Sequence, residues 1–187
     1  MGKLTLEKLS KLKNNRTVII LEIVFLLALA AIGIYTCVFS RAVVFDASKY
    51  VVWSKEQGME CKIDGIETSE DAGKYYLEIK GWVIERSIES KSSDTIRVVL
   101  KDVDTGKYYY IPTRRTSKSS ITRQFYDGTT YDDCGFEAKV RLGKELSGNA
   151  SEYEVFIYVS NGNGTKLVKT DVGVVSWLTG RSKQNVF

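Results

Sequence analysis

The chain opens with a block that has no amphipathic period at all. Val18 to Phe39, VIILEIVFLLALAAIGIYTCVF, is 22 residues long and carries one charge, Glu22. At about 1.5 Å of rise per residue, a helix of this length spans the roughly 30 Å hydrocarbon core of a bilayer. From Met59 onward the pattern changes to short runs of period two. Cys61, Ile63 and Ile66 suggest one strand, Tyr75 to Glu85 a longer one, and Thr95 to Lys101 alternates Ile96, Val98 and Leu100. Asp102 to Gly106 then turns the chain into Lys107 to Ile111, a hairpin signal. Gly135 to Leu142 places Phe136, Ala138, Val140 and Leu142 on one face and Glu137, Lys139 and Arg141 on the other. Tyr153 to Ser160 sends Val155, Ile157 and Val159 inward, and Thr165 to Trp177 adds one or two strands after the Asn161-Gly162-Asn163-Gly164 turn. Pro112, the single proline, ends a strand.

Seven to nine strands without a soluble helix predict an all-β fold: one Ig-like or jelly-roll-like β-sandwich preceded by one transmembrane helix. The segments are a basic tail (1–16), an anchor (17–40), a juxtamembrane connection (41–58), the sandwich (59–178) and a C-terminal tail (179–187). The connection, with Val43, Val44, Tyr50, Val51, Val52 and Trp53, is too apolar for a solvated linker. It extends the anchor helix or forms a first strand; periodicity does not choose.

Charge orients the anchor. Lys3, Lys8, Lys11, Lys13 and Arg16 precede it against Glu7 alone, so the N-terminus is expected in the cytoplasm and the bulk of the chain outside. Leu4, Leu6, Leu9 and Leu12 among those lysines suit a short amphipathic helix on membrane lipid. A cleaved secretory signal is the rival reading, with Ala28-Leu29-Ala30 as the cleavage site, but the apolar run continues nine residues further. Glu22 lies near the cytoplasmic edge, either as an interfacial carboxylate or as a contact to a basic residue of a partner helix. Gly33 and Cys37 add a weak small-residue packing pair.

Composition removes several functions. The outer part, 41–187, has 22 Lys and Arg against 21 Asp and Glu, which leaves nucleic acid no electrostatic footprint. No histidine is present, so Ser–His and Cys–His nucleophiles and histidine metal ligation are absent. Cys61 and Cys134 are either bridged in an oxidising compartment or two buried thiols.

Three features remain as candidate chemistry. Arg114, Arg115, Lys118 and Arg123 fall in one predicted loop, Thr113 to Arg123, and would hold phosphate or carboxylate groups if they converge. Phe156 and Tyr158 face outward when Val155 and Ile157 face the core. They would stack on sugar rings unless another element covers them. Trp82 has the same parity as the outer face, unless a bulge at Gly81 turns it into the core. Asp127, Asp132 and Asp133 share a loop that is a polar turn, a cation site or a glycosidase pair. No spacing among them is specific, and Asp102 to Gly106 matches a calcium loop only weakly. No catalytic residue, metal or cofactor is assigned, and no enzymatic activity is expected.

Tyr76, Gly81-Trp82, the Ile96–Tyr110 hairpin, Arg123, Asp133, Gly135-Phe136 and Tyr153-Glu154-Val155 together resemble extracytoplasmic β-sandwich modules of Gram-positive bacteria. Such modules accompany cell-envelope polysaccharide machinery, and the likeness covers about residues 60–175. It implies an accessory module that binds a cell-envelope glycopolymer, an anionic one if the arginines meet it, or assists its assembly. The alternative is a scaffold or regulatory subunit of a membrane protein complex. Two sequons, Asn149-Ala150-Ser151 and Asn163-Gly164-Thr165, would bear sugar only in a eukaryotic secretory pathway.

Overall fold

A computed structural model describes residues 16, 18–34, 41–143, 146 and 152–175. The chain divides into two units, residues 1–39 and 40–187. In the first, residues 18–34 form a helix (α1) with exposed side chains throughout, Glu22 among them. Among the described residues no helix is long and apolar enough to cross a membrane. The rest of the apolar run, 35–39 with Cys37, lies outside the described residues. So do the tail before Arg16, the Asn149 sequon and the segment from 176 to the C-terminus.

The second unit is an all-β pair of sheets. Its strands are β1 (Val43–Phe45), β2 (Val52–Trp53), β3 (Met59–Asp71), β4 (Lys74–Glu85), β5 (Thr95–Asp102), β6 (Tyr108–Ile111), β7 (Thr113–Thr116), β8 (Gly135–Arg141), β9 (Glu152–Asn161) and β10 (Gly164–Val175). One sheet runs β1-β6-β5-β9-β10-β2, the other β3-β4-β8-β7. All pairings are antiparallel except β2 beside β10.

Period two decides what fills the space between the sheets. Leu77, Ile79 and Val83 of β4, with Phe136, Ala138 and Val140 of β8, meet Val98, Leu100, Val155, Ile157 and Val168 from the larger sheet. Gly81 lies opposite both Ile63 and Phe136. A Cβ there would stand 2.3 Å from the Lys62 carbonyl oxygen and 2.8 Å from Phe136 Cζ, so only glycine lets the strands and ring close. Pro112 is the one residue between β6 and β7, where the chain leaves one sheet for the other. Thr113 fastens that crossing: its hydroxyl donates to the Ile111 carbonyl at 2.8 Å and accepts from the Val98 N–H at 2.9 Å. In β10 the ladder slips between Lys169 and Gly173, and the buried Thr170 hydroxyl donates to the Val155 carbonyl at 2.8 Å.

Several sequence expectations change. A helix, α2 (Ser119–Phe125), stands where a loop was expected, because Ile121 and Phe125, four apart, form one apolar face. Trp82 is buried, as expected, but not between the sheets. No bulge occurs at Gly81; the slip lies in β3, between Ile63 and Gly65. Trp82 therefore keeps its outward parity and packs with Ile84, Ile121, Tyr131 and Cys134 in a second core beneath α2. Of the two alternatives for the 41–58 connection, the described residues take the strand and not the anchor extension. The connection supplies β1, β2 and two single 3-10 turns, Ala47–Lys49 and Lys55–Gln57. The cysteines are both free. Cys61 packs against the core between the sheets and Cys134 lies in the core on the other face of the same sheet, which separates the thiols.

Candidate functional site

The connection forms a strap across the outer face of the six-stranded sheet. β1 adds to one rim, pairing Val43 with Tyr110 and Phe45 with Tyr108. The chain then turns at Ala47–Lys49, where Asp46 accepts the Ser48 N–H at 3.1 Å, and β2 joins the opposite rim beside β10. Phe45, Ala47 and Tyr50 are thereby laid over Val99, Tyr108, Tyr110, Phe156, Tyr158 and Leu167. Phe45 lies 4.0 Å from Tyr110, and Tyr50 meets Tyr158 edge-on at 5.5 Å. Burial, with Tyr158 and Tyr50 alongside, pushes the Tyr110 phenol far above its ordinary value. Phe156 is only 3% exposed. The outward parity of Phe156 and Tyr158 holds, but the strap covers them, so Phe156 offers no open stacking surface.

The four cations do not converge. Arg115 works inside the domain. It donates to the carbonyls of Lys91 and Asp94 from one guanidinium nitrogen and to that of Asp133 from the other, tying two loops together. Lys118 crosses the sheet to pair with Asp64, the residue left over at the β3 slip. Arg114 is 77% exposed at its side chain and pairs with Glu137 at 2.6 Å. Arg123 is exposed on α2. Only Arg114 and Arg123 of the four present guanidinium groups to solvent.

The acidic loop is also bonded within the domain, with Asp127 exposed and Asp132 and Asp133 half-buried. Asp127 accepts the Tyr131 hydroxyl at 2.5 Å and the Thr129 N–H at 3.0 Å, and the Tyr131 bond chiefly holds its carboxyl below the usual range. Asp132 accepts the Thr122 hydroxyl at 2.6 Å. These bonds shape the lid over Trp82. Among the described residues no cluster of three or more Cys, Asp or Glu is placed to hold a metal ion. Beside this loop Tyr126 ends α2 with a φ of 46° and is 87% exposed.

No family model, curated protein or solved structure matches this chain. The site must therefore be read from its own geometry. One polar cluster escaped the sequence reading: Lys166 of β10, Glu85 at the end of β4 and Asn161 at the end of β9. Lys166 shares the inward parity of Val168 across from Val159, a lysine in a core position, and that was the available signal. Its partners could not be read, because Glu85 comes from the opposite sheet.

Proposed function

We propose that this protein is a non-enzymatic scaffold subunit of a membrane protein complex. In this reading residues 18–39 are a single-pass anchor in the cell membrane, with the N-terminus cytoplasmic and the sandwich outside. The apolar run and the Lys/Arg excess before it support the anchor. The observation that carries the scaffold role is the strap. The chain that follows the run pairs with both rims of one sheet and lays Phe45 and Tyr50 over its aromatic rings, rather than being left as a reaching tether. Glu22, exposed on α1, is the contact to a basic residue of a partner helix.

The test is purification from membranes in mild detergent, beside a variant whose 18–39 segment is replaced by an unrelated membrane helix. A stoichiometric membrane partner is expected, released by the replacement and by Glu22→Ala while the circular dichroism of the β domain is unchanged. Recovery of the chain alone from both preparations would overturn the reading.

A second reading keeps the resemblance to envelope polysaccharide modules, with Arg114 and Arg123 as the cations left to meet an anionic glycopolymer. It is favoured by their exposure. It expects glycan binding that weakens with added salt and with the double change Arg114→Ala, Arg123→Ala.

A further inference from the structure

Among the described residues of the second unit, the exposed large apolar side chains gather on the strap. Val43, Val44, Val51 and Val52 are 46–69% exposed within one short stretch, while Tyr75, Val103 and Tyr126 stand singly on other elements. Scattered apolar residues need no account, but a group of them marks an interaction surface. Register places two of the valines on the strapped face itself. Val43 shares the parity of Phe45, and Val52 has the parity opposite to Trp53, which packs against the core between the sheets.

The charges of this face are not balanced as they are on the other side of the domain. On the outer side of the four-stranded sheet acid and base match: Glu67 with Lys80, Glu78 with Lys139, Glu137 with Arg114. On the strapped face Glu154 serves both Lys101, at 2.8 Å, and Lys169, at 2.7 Å. Arg97 is exposed and lies over the Tyr110 ring, 5.2 Å from its centre, and among the described residues no carboxylate pairs with it. Tyr50, Tyr108, Tyr110 and Tyr158, all half-buried, add phenols to the same surface. Exposed valines beside tyrosines and under-neutralised cations suit a membrane–water interface. There apolar groups sink below the headgroups, tyrosine sits at their level and cations meet phosphate.

Chain length chooses the occupant. Phe39 ends the apolar run, and four peptide steps later Val43 is on the face, a reach of at most about 14 Å. We propose that the strapped face of the six-stranded sheet lies on the bilayer surface, with its valines among the headgroups and Arg97, Lys101 and Lys169 on anionic lipid phosphates. The inference rests on the anchored reading above. The strap then does more than cover rings: it carries the apolar contacts and sets which side of the domain faces the membrane.

The test reconstitutes the full chain, with Cys37→Ala, in vesicles of phosphatidylcholine with or without phosphatidylglycerol, each containing a lipid with a nitroxide on its headgroup. A thiol-reactive fluorophore is placed by Val44→Cys, by Val52→Cys or, on the opposite side of the domain, by Glu67→Cys. Cys61 and Cys134 pack in the two cores and stay unlabelled. The nitroxide should quench the labels at positions 44 and 52 and spare the one at 67, and phosphatidylglycerol should deepen the quenching. Adding Arg97→Gln with Lys169→Gln should abolish that gain. In the unlabelled wild-type chain, amide exchange across residues 43–53 should slow when phosphatidylglycerol is present. Equal quenching at all three positions, or quenching and exchange indifferent to lipid charge, overturns the proposal. Protection of 43–53 without quenching overturns it too, and puts a protein on this face. Alkaline carbonate tells this inference from the anchor it rests on: a chain stripped from the vesicles refutes both, and a retained chain with equal quenching refutes this one alone.

Discussion

Phe156→Ala separates a covered ring from a ligand-binding one. Phe156 lies in the strapped cluster with Phe45, Val99 and Leu167, and meets Tyr108 edge-on at 5.7 Å. Truncating a buried phenylalanine to alanine costs about 3–5 kcal/mol, the spread reflecting how far the site can collapse. Here one wall is a single strap and not a second sheet, so partial closure is easier and about 3 kcal/mol is expected. For a domain near 150 residues this lowers the melting temperature by about 6–12 °C, at roughly 2–4 °C per kcal/mol. The assay is thermal unfolding of the full chain in detergent, followed by near-ultraviolet circular dichroism, with limited proteolysis beside it. Loosening the cover should also speed cleavage at Lys49. A melting temperature within about 1 °C of wild type, with unchanged proteolysis, would show that the strap does not cover this ring.

The two neighbouring arginines should behave unlike each other. Arg115→Met removes three bonds from a charged donor and is expected to cost about 2–4 kcal/mol, with faster amide hydrogen exchange in residues 86–94 and 126–134. Arg114→Ala should stay within about 1 kcal/mol in the same unfolding assay, because its pair with Glu137 is open to solvent. Gly81→Ala should cost at least about 2 kcal/mol by denaturant unfolding, since the obstructing atom is a backbone carbonyl and must shift. Burial pushes the Cys61 and Cys134 thiols up to about 11 and about 12, so both should resist iodoacetamide at pH 8 until the protein unfolds. Because both folded values are raised above the ordinary 9.0, this contribution to stability is full below pH 9 and is lost as pH rises toward 11–12. Denaturation midpoints at pH 8 and pH 10.5 would check the sign.

The strands were legible because each buries one face and leaves the other polar or covered. Leu77, Ile79 and Val83, or Val155, Ile157 and Val159, announce their parity without knowledge of the partner strand. What covers an outward apolar residue is a long-range matter. Trp82 and Phe156 both point away from the inter-sheet core; one is roofed by α2, the other by a segment more than a hundred residues earlier in the chain. Two apolar residues, Ile121 and Phe125, are too few to announce a seven-residue helix. The basic cluster misled for a related reason. A run of cations in sequence says nothing of where each side chain goes, and here Arg115 turns to backbone carbonyls while Lys118 crosses to Asp64.

The strap also sets an order of events during synthesis. β1 and β2 are made first, yet the partner of β2 is β10, the last described strand of the domain. The aromatic face cannot be closed along both rims until nearly the whole chain has appeared. Sequence separation this large makes the final pairing slow, since the loop entropy is lost before the contact forms. Until then β6 and β10 present open backbone edges, the surfaces on which neighbouring nascent chains pair wrongly. A chain that begins at Met59 keeps those edges for good, so the smallest soluble form of this domain should begin near Arg41.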